Sequence, residues 1–284
     1  MSSLLAPLSN PVGIMQGRLL PIHNGHYQAH PTDNWWHEFT LARQLSLECI
    51  EFIIDEQSYQ HNPLLSHQGV SSIISYINSS QVNVYTICAD IFMKRHLFTS
   101  DTNLIQSYIS LLKTIIESAT SIKCKVIVLP CVDASSLSFD KNNLFINNMR
   151  PVAEFAAERG VKLALETDLP PMRFLDLLNS FTHGTIFVNY DSGNSASLGY
   201  NIIDEFNAYG SYICDIHIKD RLFAGPSVPL GKGSANLLRL IKLIEHYKLY
   251  CPLIFQTYRD HNPLETFLYQ LDYFQHIVKT QHHS

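Results

Sequence analysis

The chain has 284 residues, of which 46% are hydrophobic and only 16% charged, against a usual charged share of about 25%. That is ample apolar material for a large core, and it excludes a mainly disordered chain. Twenty Lys and Arg against 25 Asp and Glu leave a net charge of −5, so no overall positive field invites a nucleic acid or an acidic membrane.

Residues 1–11 lack the basic and apolar regions of a secretory signal and read, like residues 279–284, as terminal tails. A first apolar strand is predicted over 12–16, followed by a long loop with His23, His26 and His30. These histidines are expected on the surface or in a lid over one face. Trp35 and Trp36 open a helix over 35–45 with Phe39 at helical spacing, and one of the two indoles is expected in the core. Strands over 49–54, 82–88 and 126–129 alternate with helices over 70–77, 102–119 and 142–158, the second of these capped by Asp101. Gly160 turns the chain into a strand over 161–166, and Pro170-Pro171 opens a helix over 172–181. Strands over 185–190, 213–218 and 252–256 alternate with helices over 202–209, 235–247 and 264–278.

Eight strand and helix alternations, with no linker or composition break, predict parallel βα units in one domain spanning 1–284. The count is that of a (β/α)₈ TIM barrel, an α/β fold, with a doubly wound open sheet as the alternative. No apolar run approaches a membrane span, and the six cysteines form no C-x-x-C pair, which suits a reducing cytoplasm.

Either fold places its chemistry at the C-terminal ends of the strands. Consecutive strand ends there offer Glu166, Asp191, His217 and Gln256. Two carboxylates, an imidazole and an amide oxygen suit a divalent metal ion such as Mn, Mg, Co or Zn, with positions left for substrate. The competing reading is that each merely closes a strand or caps a helix.

The segments Gly13-Ile-Met-Gln-Gly-Arg-Leu19, Ile50-Glu-Phe52 with Asp55, and Asp191-Ser-Gly-Asn194 fall in order at these positions. So do His217-Ile-Lys-Asp-Arg221, Leu230-Gly-Lys-Gly233 and Phe255-Gln-Thr257. Together they resemble the xylose-isomerase-like sugar-phosphate isomerase/epimerase superfamily over nearly the whole chain. The resemblance implies a (β/α)₈ barrel whose last four strands hold one divalent metal, with a sugar or sugar phosphate chelating it. Carried over, the metal ligands are Glu166, Asp191 and His217, with Glu166 also the base. The sequence departs from the family pattern at Gln256, where many members place a second glutamate, and at Asn194, where a histidine is frequent.

Such a metal polarises a sugar carbonyl and stabilises the enediolate left when a base removes the neighbouring proton. Epimerisation calls for two opposed acid/base groups, whereas aldose–ketose isomerisation needs one, and Gln cannot act as a base. Gln256 therefore favours isomerisation; a second proton for epimerisation would come from Glu51, Lys219 or water. Lys232 in the Gly-x-Gly loop, with Arg18, Arg221 and Arg259, is a candidate phosphate contact, and Glu51, Asn194 and Lys219 complete the expected substrate-binding set. The competing functions are a metal-binding barrel without catalysis, a sugar or polyol dehydratase, and an abasic-site DNA endonuclease. The net charge and Asn194 speak against the last. Expected partners are thus a small sugar or sugar phosphate, no nucleic acid and no membrane, with a homo-oligomer left open.

Overall fold

The computed structural model describes residues 4–57 and 59–283. Its strands are β1 (Val12–Met15), β2 (Cys49–Ile53), β3 (Asn83–Cys88), β4 (Val126–Cys131), β5 (Lys162–Thr167), β6 (Ile186–Asp191), β7 (Ile213–Ile218) and β8 (Leu253–Phe255). Each pairs in parallel with the next, and β8 pairs with β1, so the sheet closes into a barrel. The open-sheet alternative is thereby excluded.

The helices are α1 (His37–Gln44), α2 (His67–Ser80), α3 (Thr102–Ser121), α4 (Phe139–Glu158), α5 (Pro171–Asn179), α6 (Ser192–Leu198), α7 (Ile202–Tyr209), α8 (Leu237–His246) and α9 (Pro263–His283). Asp101 caps α3 by accepting from the Asn103 and Leu104 amides, and Pro171 starts α5. Gly160 takes the left-handed conformation (φ 67°) that turns the chain into β5. α6 is the helix that periodicity misses. It is a single short turn region of small residues, Ser-Gly-Asn-Ser-Ala-Ser-Leu, nucleated by Asp191 at its N-cap. No described helix is long and apolar enough to cross a membrane.

Strand side chains alternate between two environments. One set packs outward against the helices in a large core that includes Trp35, Phe39, Phe52 and Phe255. The other fills the lower barrel with Met15, Cys49, Ile53, Cys88, Val128, Ala164 and Ile254. Gly13 belongs to this inner layer, where a Cβ would lie 2.5 Å from Cys49 Sγ and 2.6 Å from Ile254 Cδ1. All six cysteines are buried and unpaired.

Two terminal expectations are corrected. Leu5 and Leu8 are buried, and Asn10 Nδ2 donates to the Leu249 and Cys251 carbonyls at 2.9 Å each, so this segment seals the barrel floor beside β8. At the other end α9 continues through residues 279–283. Residues 1–3 and 284 of the expected tails lie outside the described residues.

Candidate active site

Alternation along β5, β6 and β7 turns Glu166, Asp191 and His217 to the inside of the barrel at its C-terminal end. Asp191 is in register with His217, and Asn189 with Asp215 one layer below. Donor atoms of Glu166, Asp191 and His217 all lie within 4.8 Å of one another, and all three residues are buried. His217 Nδ1 is 3.5 Å from Glu166 Oε2 and 3.8 Å from Asp191 Oδ2. His217 Nε2 points the other way, 3.0 Å from Glu51 Oε1.

Both carboxylates are fixed by hydrogen bonds at each of their oxygens. Asp191 Oδ1 accepts from the Gly193 and Asn194 amides, which caps α6, and Oδ2 faces the site. Glu166 accepts from Asn189 Nδ2 at 2.9 Å and from Asn194 Nδ2 at 2.5 Å. Asn189 escaped the sequence reading because it sits inside an apolar strand. Its parity with Asp191, two residues on, is the signal that could have found it.

Both departures from the family pattern have a physical reason. The Gln256 amide bridges two partners: its Oε1 accepts from Lys219 Nζ at 2.9 Å, and its Nε2 donates to Gln28 Oε1 at 3.1 Å. A glutamate would have no proton for Gln28. Asn194 likewise accepts from Arg221 Nη1 at 2.9 Å while donating to Glu166. Lys219 Nζ also donates to Asp191 Oδ2 at 3.1 Å, and its stem runs over Gly193, where a Cβ would meet Lys219 Cγ at 2.6 Å.

Charge at this cluster is strongly coupled. Burial raises the Asp191 pKa, yet Lys219 and His217 overcome it and hold the carboxyl well below the ordinary range. Burial works against a proton on His217, but Glu51, Asp191 and Glu166 push its pKa well above the usual imidazole value. Burial and then Glu51 push Asp215 well up, and neither of its carboxyl oxygens has a hydrogen-bond partner. Three acidic neighbours around one imidazole thus favour an added positive charge, which a divalent ion at Glu166, Asp191 and His217 Nδ1 would bring. The donor set fits such an ion through these three residues. At Gln256 the oxygen is shared with the Lys219 ammonium.

A cavity of about 870 Å³ opens above the cluster, lined by Glu166, Asn194, Lys219, Arg221 and Gln256 on one side. Gln28, Asp55, Asp90 and Asp133 line it as well. The remaining candidates lie elsewhere. Glu51 is fully buried beneath His217 and does not line the cavity. Arg18 donates to the Thr257 and Tyr27 carbonyls and to Gln28 Oε1. Arg259 donates to the Tyr27 and Leu20 carbonyls. Both guanidiniums therefore pin the first loop, which brings Gln28 over the barrel mouth.

Lys232 is exposed and outside the cavity. The amides of its loop are already engaged, because Asp220 Oδ2 accepts from Gly231 and Gly233, and Oδ1 from Ala235, at 2.9 Å each. The carboxylate takes the place expected for a phosphate. His30 also differs from expectation: it is buried, with Nδ1 2.8 Å from Gln16 Oε1, and burial lowers its pKa to about 4.

The comparisons with known proteins agree with this architecture. Residues 39–276 match the family described as a xylose isomerase-like TIM barrel. The chain belongs to that family. It is 24% identical over 241 residues to the probable L-ribulose-5-phosphate 3-epimerase UlaE of Mycoplasma pneumoniae, covering 82% of this chain and 79% of that one. The L-ribulose-5-phosphate 3-epimerase UlaE of Salmonella heidelberg is 21% identical over 235 residues, covering 80% and 83%. Among solved structures, a xylose isomerase domain protein from Planctomyces limnophilus superimposes with a TM-score of 0.74 at 17% identity, over 97% of this chain and 99% of that one.

Proposed function

We propose that the protein is a divalent-metal-dependent sugar epimerase that moves the proton on the carbon beside a ketose carbonyl. The observation that carries this reading is the placement of Glu166 at the cavity wall. Its carboxylate is oriented from behind by Asn189 and Asn194, lies beside Asp191 and His217, and faces a cavity of sugar-accommodating size.

Glu166, Asp191 and His217 would hold the metal, which when bound supplies electrophilic polarisation of the carbonyl and so acidifies the neighbouring C–H. Glu166 removes that proton, its position set by two amide hydrogen bonds rather than by its own flexible stem, and a proton delivered to the opposite face by Lys219 or water completes the inversion. Lys219 lines the β7 side of the cavity and presents an N–H donor to substrate oxygens. Asn194 ties Arg221 to Glu166, so the anchored guanidinium helps to fix the base. The names of the two curated relatives support epimerisation over other proton transfers. Aldose–ketose isomerisation is the second reading, favoured by Gln256, which offers no carboxylate opposite Glu166.

Incubation with ketoses and Mn²⁺ in D₂O tests the proposal. Deuterium at C3 with inversion is expected; aldose formation selects the second reading, and no exchange into any ketose rejects both. Glu166→Gln should lower the exchange rate by about 10³-fold, within the range for a general base.

A further inference from the structure

We infer that the substrate is an uncharged polyhydroxy ketose rather than a sugar phosphate. This rests on the epimerase reading above and concerns what the far side of the same cavity recognises. Phosphate sites are built from open backbone amides and from arginines whose forks are free to make bidentate contacts. Here the amides of Gly231, Gly233 and Ala235 already converge on the buried Asp220 carboxylate. A phosphate at that loop would have to displace a carboxylate that is itself held by three N–H groups.

The arginines near the cavity are similarly engaged. Arg95 makes a two-pronged pair with Glu56, at 2.7 Å from Nε and 3.0 Å from Nη2, and its guanidinium lies 4.3 Å over the Tyr59 ring. Arg221 spends Nε and Nη2 on the Gly225 carbonyl and Nη1 on Asn194. Lys94, exposed at the rim, is a cavity cation without a side-chain partner among the described residues.

The rest of the wall combines apolar side chains such as Met93, Leu104, Tyr108 and Val132 with acidic and amide groups. Asp55, Asp90 and Asp133 line it together with Gln28 and Gln57. Asp133 is held with φ at 51°, a left-handed conformation that non-glycine residues rarely adopt, at the turn that follows β4. Asp90 accepts from Gln28 Nε2 at 2.5 Å, so the amide and carboxylate form a fixed polar ledge. Carboxylates and amides in such an array accept hydrogen bonds from sugar hydroxyls, and the carboxylates repel a phosphate dianion.

The test uses the wild-type protein with Mn²⁺ and calorimetric titration of 2-ketopentoses and 2-ketohexoses, each beside its terminal phosphate ester, with inorganic phosphate as competitor. The best free ketose is expected to bind at least tenfold more tightly than any phosphate ester, and inorganic phosphate is expected not to displace it. A phosphate ester that binds equally well or better overturns the inference, as does failure of every ketose to bind. Deuterium exchange on the same samples separates the two readings. A free-ketose preference without exchange sinks the epimerase and leaves the substrate class standing, whereas exchange confined to phosphate esters does the reverse.

Discussion

Glu51 never reaches the cavity, yet it decides which nitrogen of His217 does. By receiving Nε2–H from below it leaves Nδ1 toward Glu166 and Asp191, the carboxylate–histidine arrangement that fixes an imidazole for a metal. Glu51→Gln is expected to weaken Mn²⁺ binding by about 10- to 100-fold, as loss of such a partner usually does. Titrating Mn²⁺ against the melting temperature reads this, and an unchanged midpoint would reject the role. His30 carries a pH signature of its own. It is kept neutral in the fold, with a pKa of about 4 against 6.5 when free. Between those values the unfolded chain takes up a proton that the fold refuses, so its contribution is complete above pH 6.5 and is lost as pH falls toward 4. Asp90 acts with the opposite sign, because burial raises its pKa to about 6 and the fold loses stability as pH rises from 4 to 6. The His30 share is therefore read as the difference between wild type and His30→Gln. Urea unfolding at pH 7 and pH 4.5 should show wild type losing up to about 3 kcal/mol more than the variant. The sequence suggested a surface histidine here because a loop position says nothing about whether the loop folds back over the core.

At the scale of single elements, strand ends were the most legible feature. Continuous apolar runs bounded by polar residues locate Glu166, Asp191 and His217 within the last two residues of β5, β6 and β7. Loops were less legible, since a Gly-x-Gly turn has the same sequence whether its amides face a ligand or a side chain of the chain itself. In the segment between β7 and α8 they face Asp220, which closes the loop internally. Asp220→Ala would leave three amides without their acceptor, a loss of about 1–3 kcal/mol if water only partly replaces it. Thermal unfolding should register a drop of about 5 °C, on a scale of about 2–4 °C per kcal/mol for chains approaching this size. If the loop instead bound phosphate, removing Asp220 would cost little and would create a phosphate-dependent rise in melting temperature.

For the whole molecule, stability depends on closing β1 against β8, and the N-terminal segment is part of that closure. Leu5 and Leu8 are buried and Asn10 bonds to carbonyls just before β8. Removing residues 1–10 exposes two leucine sites, each worth about 1.5–3 kcal/mol. The truncated chain should melt at a clearly lower temperature, measured by circular dichroism, while an unchanged transition would show the segment to be dispensable. By itself, the sequence determined the eightfold alternation and the strand-end donors, because parallel strands buried on both faces demand unbroken apolar runs that stop where the barrel stops. It also determined the two amide substitutions at Asn194 and Gln256. Only the tertiary structure decided what those amides do, that Arg18 and Arg259 pin a loop, and that Asp220 occupies the expected phosphate position. Such assignments depend on which partner a polar group meets across the barrel, and residues such as Gln28 and Gln256, 228 positions apart, meet only when the sheet closes.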